Sequence, residues 1–118
     1  MSSADEALAR FRRICLALPE TTETDSWGHP NFRAGKRTFA AFEWIKDRPS
    51  LACKLGADQV DQLLLQDDGF FATPYGRGQW ISVWADGSVD WPLIEELVEL
   101  SYRAIALKRM LAALDARS

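Results

Sequence analysis

The sequence is poor in the residues from which most catalytic and metal sites are built. It has one histidine, His29, and two cysteines, Cys15 and Cys53, in 118 residues. Neither cysteine lies in a CxxC spacing or beside the histidine, so neither a zinc site nor a disulfide framework is indicated, and both thiols are expected to be buried. No apolar run approaches the ~20 residues that a membrane span needs, which removes a membrane from the expected partners. The stretch from Met1 to Arg10 includes Asp5 and Glu6 and no apolar core, so no secretory or transit peptide is read there and a cytoplasmic location is expected. Linkers, repeats and low-complexity stretches are also missing, and residues 1–118 are read as one domain.

Basic residues are the minority. Fourteen Lys and Arg against seventeen Asp and Glu give a net charge of −3, which excludes a strongly basic nucleic-acid-binding domain. The distribution is uneven, however. From Arg33 to Lys54 six basic residues face two acidic ones, net +4; from Gly56 to Glu99 Arg77 alone faces nine acidic residues, net −8. A polyanion would be steered to the first segment and repelled by the second.

Local patterns give the elements. Ser3 and Glu6 fit a capping box ahead of a helix from Asp5 to Leu18, striped by Leu8, Phe11, Cys15 and Leu18 and ended by Pro19. Thr21, Thr22 and Thr24 mark a short strand stopping at Gly28, His29 and Pro30. Phe32 and Arg33 lead through Ala34 and Gly35 into a strand from Lys36 to Trp44, with Gly35 supplying the positive φ of a hairpin turn. Strict alternation puts Lys36, Thr38, Ala40, Phe42 and Trp44 on one face and Arg37, Phe39, Ala41 and Glu43 on the other. Lys46 to Pro49 form a charged turn before a strand from Ser50 to Leu55, and Asp58 to Gln66 reads as a short acidic helix. After the turn formers Pro74 to Gly78, the segment Gln79 to Trp84 alternates as a strand. Asp90 caps one long final helix running to about Leu114, in which Lys108 is the exception on an otherwise apolar stripe. The early connections are too short for crossover helices, so the class is α+β, with a largely antiparallel sheet and the first and last helices on a shared face.

Trp27, Gly28, His29, Pro30, Asn31, Phe32 and Arg33, followed by Gly35, Lys36, Phe39 and Ala40, resemble the signature of the MmcQ/YjbR family of small bacterial proteins. Leu18, Pro19 and Glu20, then Trp80, then Ser101 and Tyr102 match the same family pattern in order, so the resemblance covers residues 4 to 113. It implies a frataxin-like α+β arrangement whose β-hairpins act as a double-wing DNA-binding element. It supplies no agreed catalytic residue and no cofactor.

Two functions of different kinds follow as expectations. The first is low-specificity binding of double-stranded DNA by two basic wings: Arg33, Lys36 and Arg37 at one hairpin, Lys46 and Arg48 at the next connection, and Arg77 between two glycines where backbone N–H groups could share an anion. Tyr75 or Trp80 would stack on a base or ligand if exposed. The second is a protein-interaction or small-ligand module, in which Tyr75, Trp80, Trp84 and Trp91 surround an aromatic groove. No enzyme is expected. A nucleophilic site would have to join His29 to Asp25 and to Ser26, Ser101 or Cys15, which no spacing singles out. Asp58, Asp61, Asp67 and Asp68 match no metal-loop spacing and read as a solvated helix face.

Overall fold

The computed structural model describes residues 3–26, 28–66, 69–74 and 77–117. The order is α1 (Ser3–Leu16), β1 (Thr21–Ser26), β2 (His29–Ala34), β3 (Arg37–Ile45), β4 (Arg48–Lys54), α2 (Ala57–Gln66), β5 (Phe70–Ala72), β6 (Trp80–Trp84), α3 (Trp91–Ile105) and α4 (Lys108–Asp115). The strands form one antiparallel sheet in the order β1-β2-β3-β4-β6-β5. The α+β class and the antiparallel sheet are as read from the sequence.

Helices α1 and α3 pack on one face of this sheet, and α2 adds Val60 to the same core. Ala7, Phe11 and Cys15 recur every four residues on α1 and are all buried, which is the apolar stripe that holds a helix to a sheet. Phe11 meets Phe32 of β2 edge-on at 5.6 Å, and Phe39 of β3 meets Tyr102 of α3 edge-on at 5.7 Å. Each such fully buried ring contributes about 1.5–3 kcal/mol through loss of apolar surface to water. The Tyr102 hydroxyl donates to the carbonyl of Pro19 at 2.7 Å, tying α3 to the turn that follows α1. Cys15 and Cys53 are free thiols inside this core.

Three expectations need correction. The ladder between β2 and β3 pairs Phe32 with Ala40 but Arg33 with Thr38, so Phe39 is an extra residue. This bulge turns Phe39 and Ala40 to the same, helix-covered side, and both are fully buried. Strict alternation therefore fails on β3. The last helix is two: Ala106 and Leu107 take extended backbone angles, with ψ of 149° and 158°, and α4 turns back so that Met110 enters the core. Finally, β5 was not anticipated. It is a three-residue edge strand against β6.

Helix boundaries shift by a residue or two. Helix α1 begins at Ser3, whose side chain, with the expected capping box, lies outside the described residues. Asp90 does cap α3, its Oδ1 accepting from the Leu93 N–H at 3.2 Å. Among the described residues no helix is long and apolar enough to cross a membrane.

Candidate nucleic-acid interface

Strand β3 decides where the basic residues go. It is nine residues long, so at ~3.3 Å per residue its ends lie about 26 Å apart. The β2–β3 turn, with Gly35 at φ +63°, lies at one end; the β3–β4 turn, with Lys46 and Asp47 both at positive φ, lies at the other. Consecutive hairpins must point in opposite directions. Arg33, Lys36 and Arg37 thus sit at one end of the sheet, and Lys46 and Arg48 at the far end.

Arg77 joins the first group. β6 runs antiparallel to β4 with Trp80 opposite Lys54, and the Leu55 N–H donates to the Gln79 carbonyl at 2.9 Å. Ala40 lies opposite Cys53, so this end of β4 is beside the start of β3. The connection carrying Arg77, at φ +53°, is therefore displaced sideways from the Lys36 turn by about three strand spacings, roughly 14 Å. Two cations that the sequence did not single out lie at the same end. Lys54 is half-buried at the end of β4, and Lys108 is exposed at the start of α4. Helix α4 is held there because Arg109 makes two hydrogen bonds to Glu20, whose carbonyl accepts from Gly35. Only the break between α3 and α4 brings Lys108 to this place, and its departure from the apolar stripe was the one signal available.

Pairing sets Arg48 apart from the first group, whereas Lys46 at the far end is exposed and in none of the ion pairs among the described residues. Arg48 grips Asp86 with Nε and Nη2, at 2.8 and 3.0 Å, and its guanidinium lies 4.1 Å from the centre of the Trp84 ring. The hydrogen bonds to Arg48 hold the Asp86 carboxyl below its ordinary range and raise the guanidinium in turn. Much of the Arg48 charge is offset locally. Among the described residues Arg33, Lys36, Arg37 and Arg77 are exposed and belong to none of the ion pairs, which involve Arg12, Arg48, Arg103 and Arg109.

The helix-free face of the sheet holds the remaining candidates. Thr24, Asn31, Ala41, Ala52, Ser82 and Phe71 form a row across all six strands. Trp80 and Trp84 flank that row on β6, both half-buried. Trp84 is approached by Arg48 from the β4 side and stacks on Phe71 at 4.4 Å on the β5 side. Trp91 lies elsewhere, under Arg10 of α1 at 4.9 Å. The tryptophans expected around one groove are thus divided between two sides of the molecule, and Tyr75 lies outside the described residues.

The potential nucleophilic groups do not assemble either. Ser26 is opposite His29 in the β1–β2 ladder, but among the described residues Nδ1 of His29 is buried without a hydrogen bond, as is Oγ1 of Thr24 nearby. Asp25 pairs with Pro30 and by alternation belongs to the opposite face, so it does not orient the imidazole. Ser101 donates to the Leu97 carbonyl within its own helix at 2.8 Å. Burial pushes the Cys15 thiol well above its usual range and the Cys53 thiol up to about 12, the reverse of an activated nucleophile. Glu43, half-buried on the helix-free face, has its carboxyl raised by burial. Asp58 and Asp61 are exposed on α2, while Asp67 and Asp68 lie outside the described residues.

The model of the YjbR family matches residues 16–104, spanning every element from the end of α1 to α3. The chain belongs to the YjbR family. Solved structures of similar fold extend the likeness. The Deinococcus radiodurans protein DR2400, with a DUF419 domain, is 21% identical with a TM-score of 0.70, over 92% of this YjbR chain and 87% of its own. A Pseudomonas syringae protein is 18% identical with a TM-score of 0.65, over 82% and 96%. A Bacillus subtilis protein of the DUF1801 family is 21% identical with a TM-score of 0.56, over 85% and 88%. At these identities the likeness shows the fold alone. No curated protein matches the chain.

Proposed function

We propose that this YjbR-family protein is a non-enzymatic, cytoplasmic DNA-binding protein of low sequence specificity, gripping duplex phosphates with one basic end of its sheet rather than with two wings. The observation that carries the reading is that Arg33, Lys36, Arg37 and Arg77 are exposed, unpaired among the described residues, and gathered at the end of the sheet where β3 begins. Side chains on turns and strand ends reach backbone oxygens without entering a groove, so the contacts position the duplex but do not read it. The acidic segment from Gly56 to Glu99 would keep DNA from the rest of the surface. The absence of an enzyme function is part of the same proposal, supported by the separation of His29 from Asp25, Ser101 and Cys15.

The test is salt-titrated fluorescence anisotropy with a random-sequence duplex. Four phosphate contacts give a slope of log Kobs against log salt of about −3.6, at roughly −0.9 per contact. Lys36→Ala, Arg37→Ala and Arg77→Ala together should bring the slope to about −1. Changing Lys46 and Arg48 to Ala should leave it unaltered. Equal effects of the two sets would restore the two-wing arrangement, and no salt-dependent binding by the wild type would remove the proposal.

A further inference from the structure

Among the described residues, a cavity of about 360 Å³ opens between the β5–β6 edge and the first turns of α3. That volume is within the range of small-ligand sites, roughly 300–1,000 Å³. Its lining is mainly apolar: Phe70 and Val83, which pair across β5 and β6, together with Val89, Leu93 and Ile94. Three charged residues also line it, Arg48, Asp86 and Asp90, and their states differ. Arg48 and Asp86 pair with each other through both carboxylate oxygens. Asp90 spends Oδ1 on the Leu93 N–H as the helix cap, and its second oxygen has no hydrogen bond among the described residues.

Among the described residues the formal charge of the lining is therefore −1, and the one carboxylate oxygen without a bond to another of them belongs to Asp90. The N-terminus of α3 contributes about +0.5 in the opposite sense, which does not reverse the sign. The surrounding segment from Gly56 to Glu99, net −8, reinforces it. An anion is disfavoured here, and a neutral apolar molecule would leave the Asp90 oxygen unused.

We propose that this cavity binds a small primary amine with an apolar body, its ammonium group on the second oxygen of Asp90 and its hydrocarbon part against Val83, Val89, Leu93 and Ile94. The site is independent of the basic end, because the two lie on different parts of the sheet and select opposite charges. Asp90 is exposed, so its ion pair adds selectivity more than affinity.

The experiment follows the methyl resonances of the full chain by NMR as 2-phenylethylamine is titrated, with 3-phenylpropionate as the anionic counterpart. Saturable shifts of the Val83, Val89, Leu93 and Ile94 methyls are expected with the amine, and at least tenfold weaker binding with the carboxylate. Asp90→Asn preserves capping while removing the charge, so it should melt like the wild type yet bind the amine about three- to fivefold more weakly. Val89→Phe fills the cavity and should abolish the shifts. Equal binding of amine and carboxylate, full affinity in Asp90→Asn, shifts confined to the Glu95, Glu96 and Glu99 surface, or no binding of the amine would each overturn the proposal.

Discussion

Replacing Tyr102 by Phe removes one oxygen from the core and leaves the ring in place. In the native protein that hydroxyl is fully buried and donates to the carbonyl of Pro19, itself buried, across 83 positions of sequence. Two terms then act in the same direction. The net worth of the bond is about 0.5–1.5 kcal/mol, and a buried carbonyl left without a donor raises the total toward about 1–3 kcal/mol. The edge-on contact of the ring with Phe39 is retained, so no cavity contribution enters. A loss near 2 kcal/mol corresponds to a melting temperature lower by roughly 8–12 °C for a domain of this size. Urea denaturation measures it directly, through a lower midpoint at an unchanged m-value. Tyr102→Ala, which also empties the ring's volume, should cost about 3–5 kcal/mol. If Tyr102→Phe lies within about 0.5 kcal/mol of the wild type, the bond to Pro19 does not hold α3 to the α1 turn, because that is the scale on which surface changes fall.

Two further outcomes are expected. Glu20 and Asp86 have carboxyl groups lowered by their arginine partners, so their contribution to stability is complete above the ordinary carboxylate range and is lost as pH falls through the lowered values; Glu43, raised by burial, shifts the other way. Carboxyl NMR should find Glu43 titrating at higher pH than Glu20, and Arg109→Ala should return Glu20 toward its ordinary range; a Glu20 titration indifferent to that change would contradict the pairing. The thiols give the second. Cys15 and Cys53, buried and raised by that burial, should resist iodoacetamide in the native protein at neutral pH and react in urea, and fast alkylation of either thiol without denaturant would be inconsistent with their burial.

The elements that sequence reasoning found best are those whose pattern has a single explanation. Trp80, Ser82 and Trp84 alternate with Ile81 and Val83 between β6's helix-free face and its helix-covered side, although Ser82 is buried as fully as Ile81. Asp90 capped the helix it was expected to cap, since that bond depends on neighbours three residues apart. Where both faces of a strand are apolar the period disappears: Phe39, Ala40, Ala41 and Phe42 are all buried, and nothing in their order reveals the bulge between β2 and β3. The bend at Ala106 and Leu107 is set by the tertiary position of Met110, because alanine and leucine are good helix formers. For the basic site the residue types were legible and their placement was not. The summed charge from Arg33 to Lys54 conceals that β3 carries two of its six basic residues, Lys46 and Arg48, to the far end, and the contribution of Lys108 comes from a helix more than fifty residues further along.

The strand order also bears on how the chain reaches its native state. β1 to β4 are joined by two-residue connections and lie side by side in sequence order, so their pairing closes only short loops. β6 is different: it reaches β4 through partners 26 to 34 positions apart, with α2 and β5 in between. Loop closure of that length slows pairing relative to the local hairpins. A four-stranded meander is therefore expected to form first and to wait, with the apolar edge of β4 around Leu51 and Cys53 open to any other extended chain until β6 covers it.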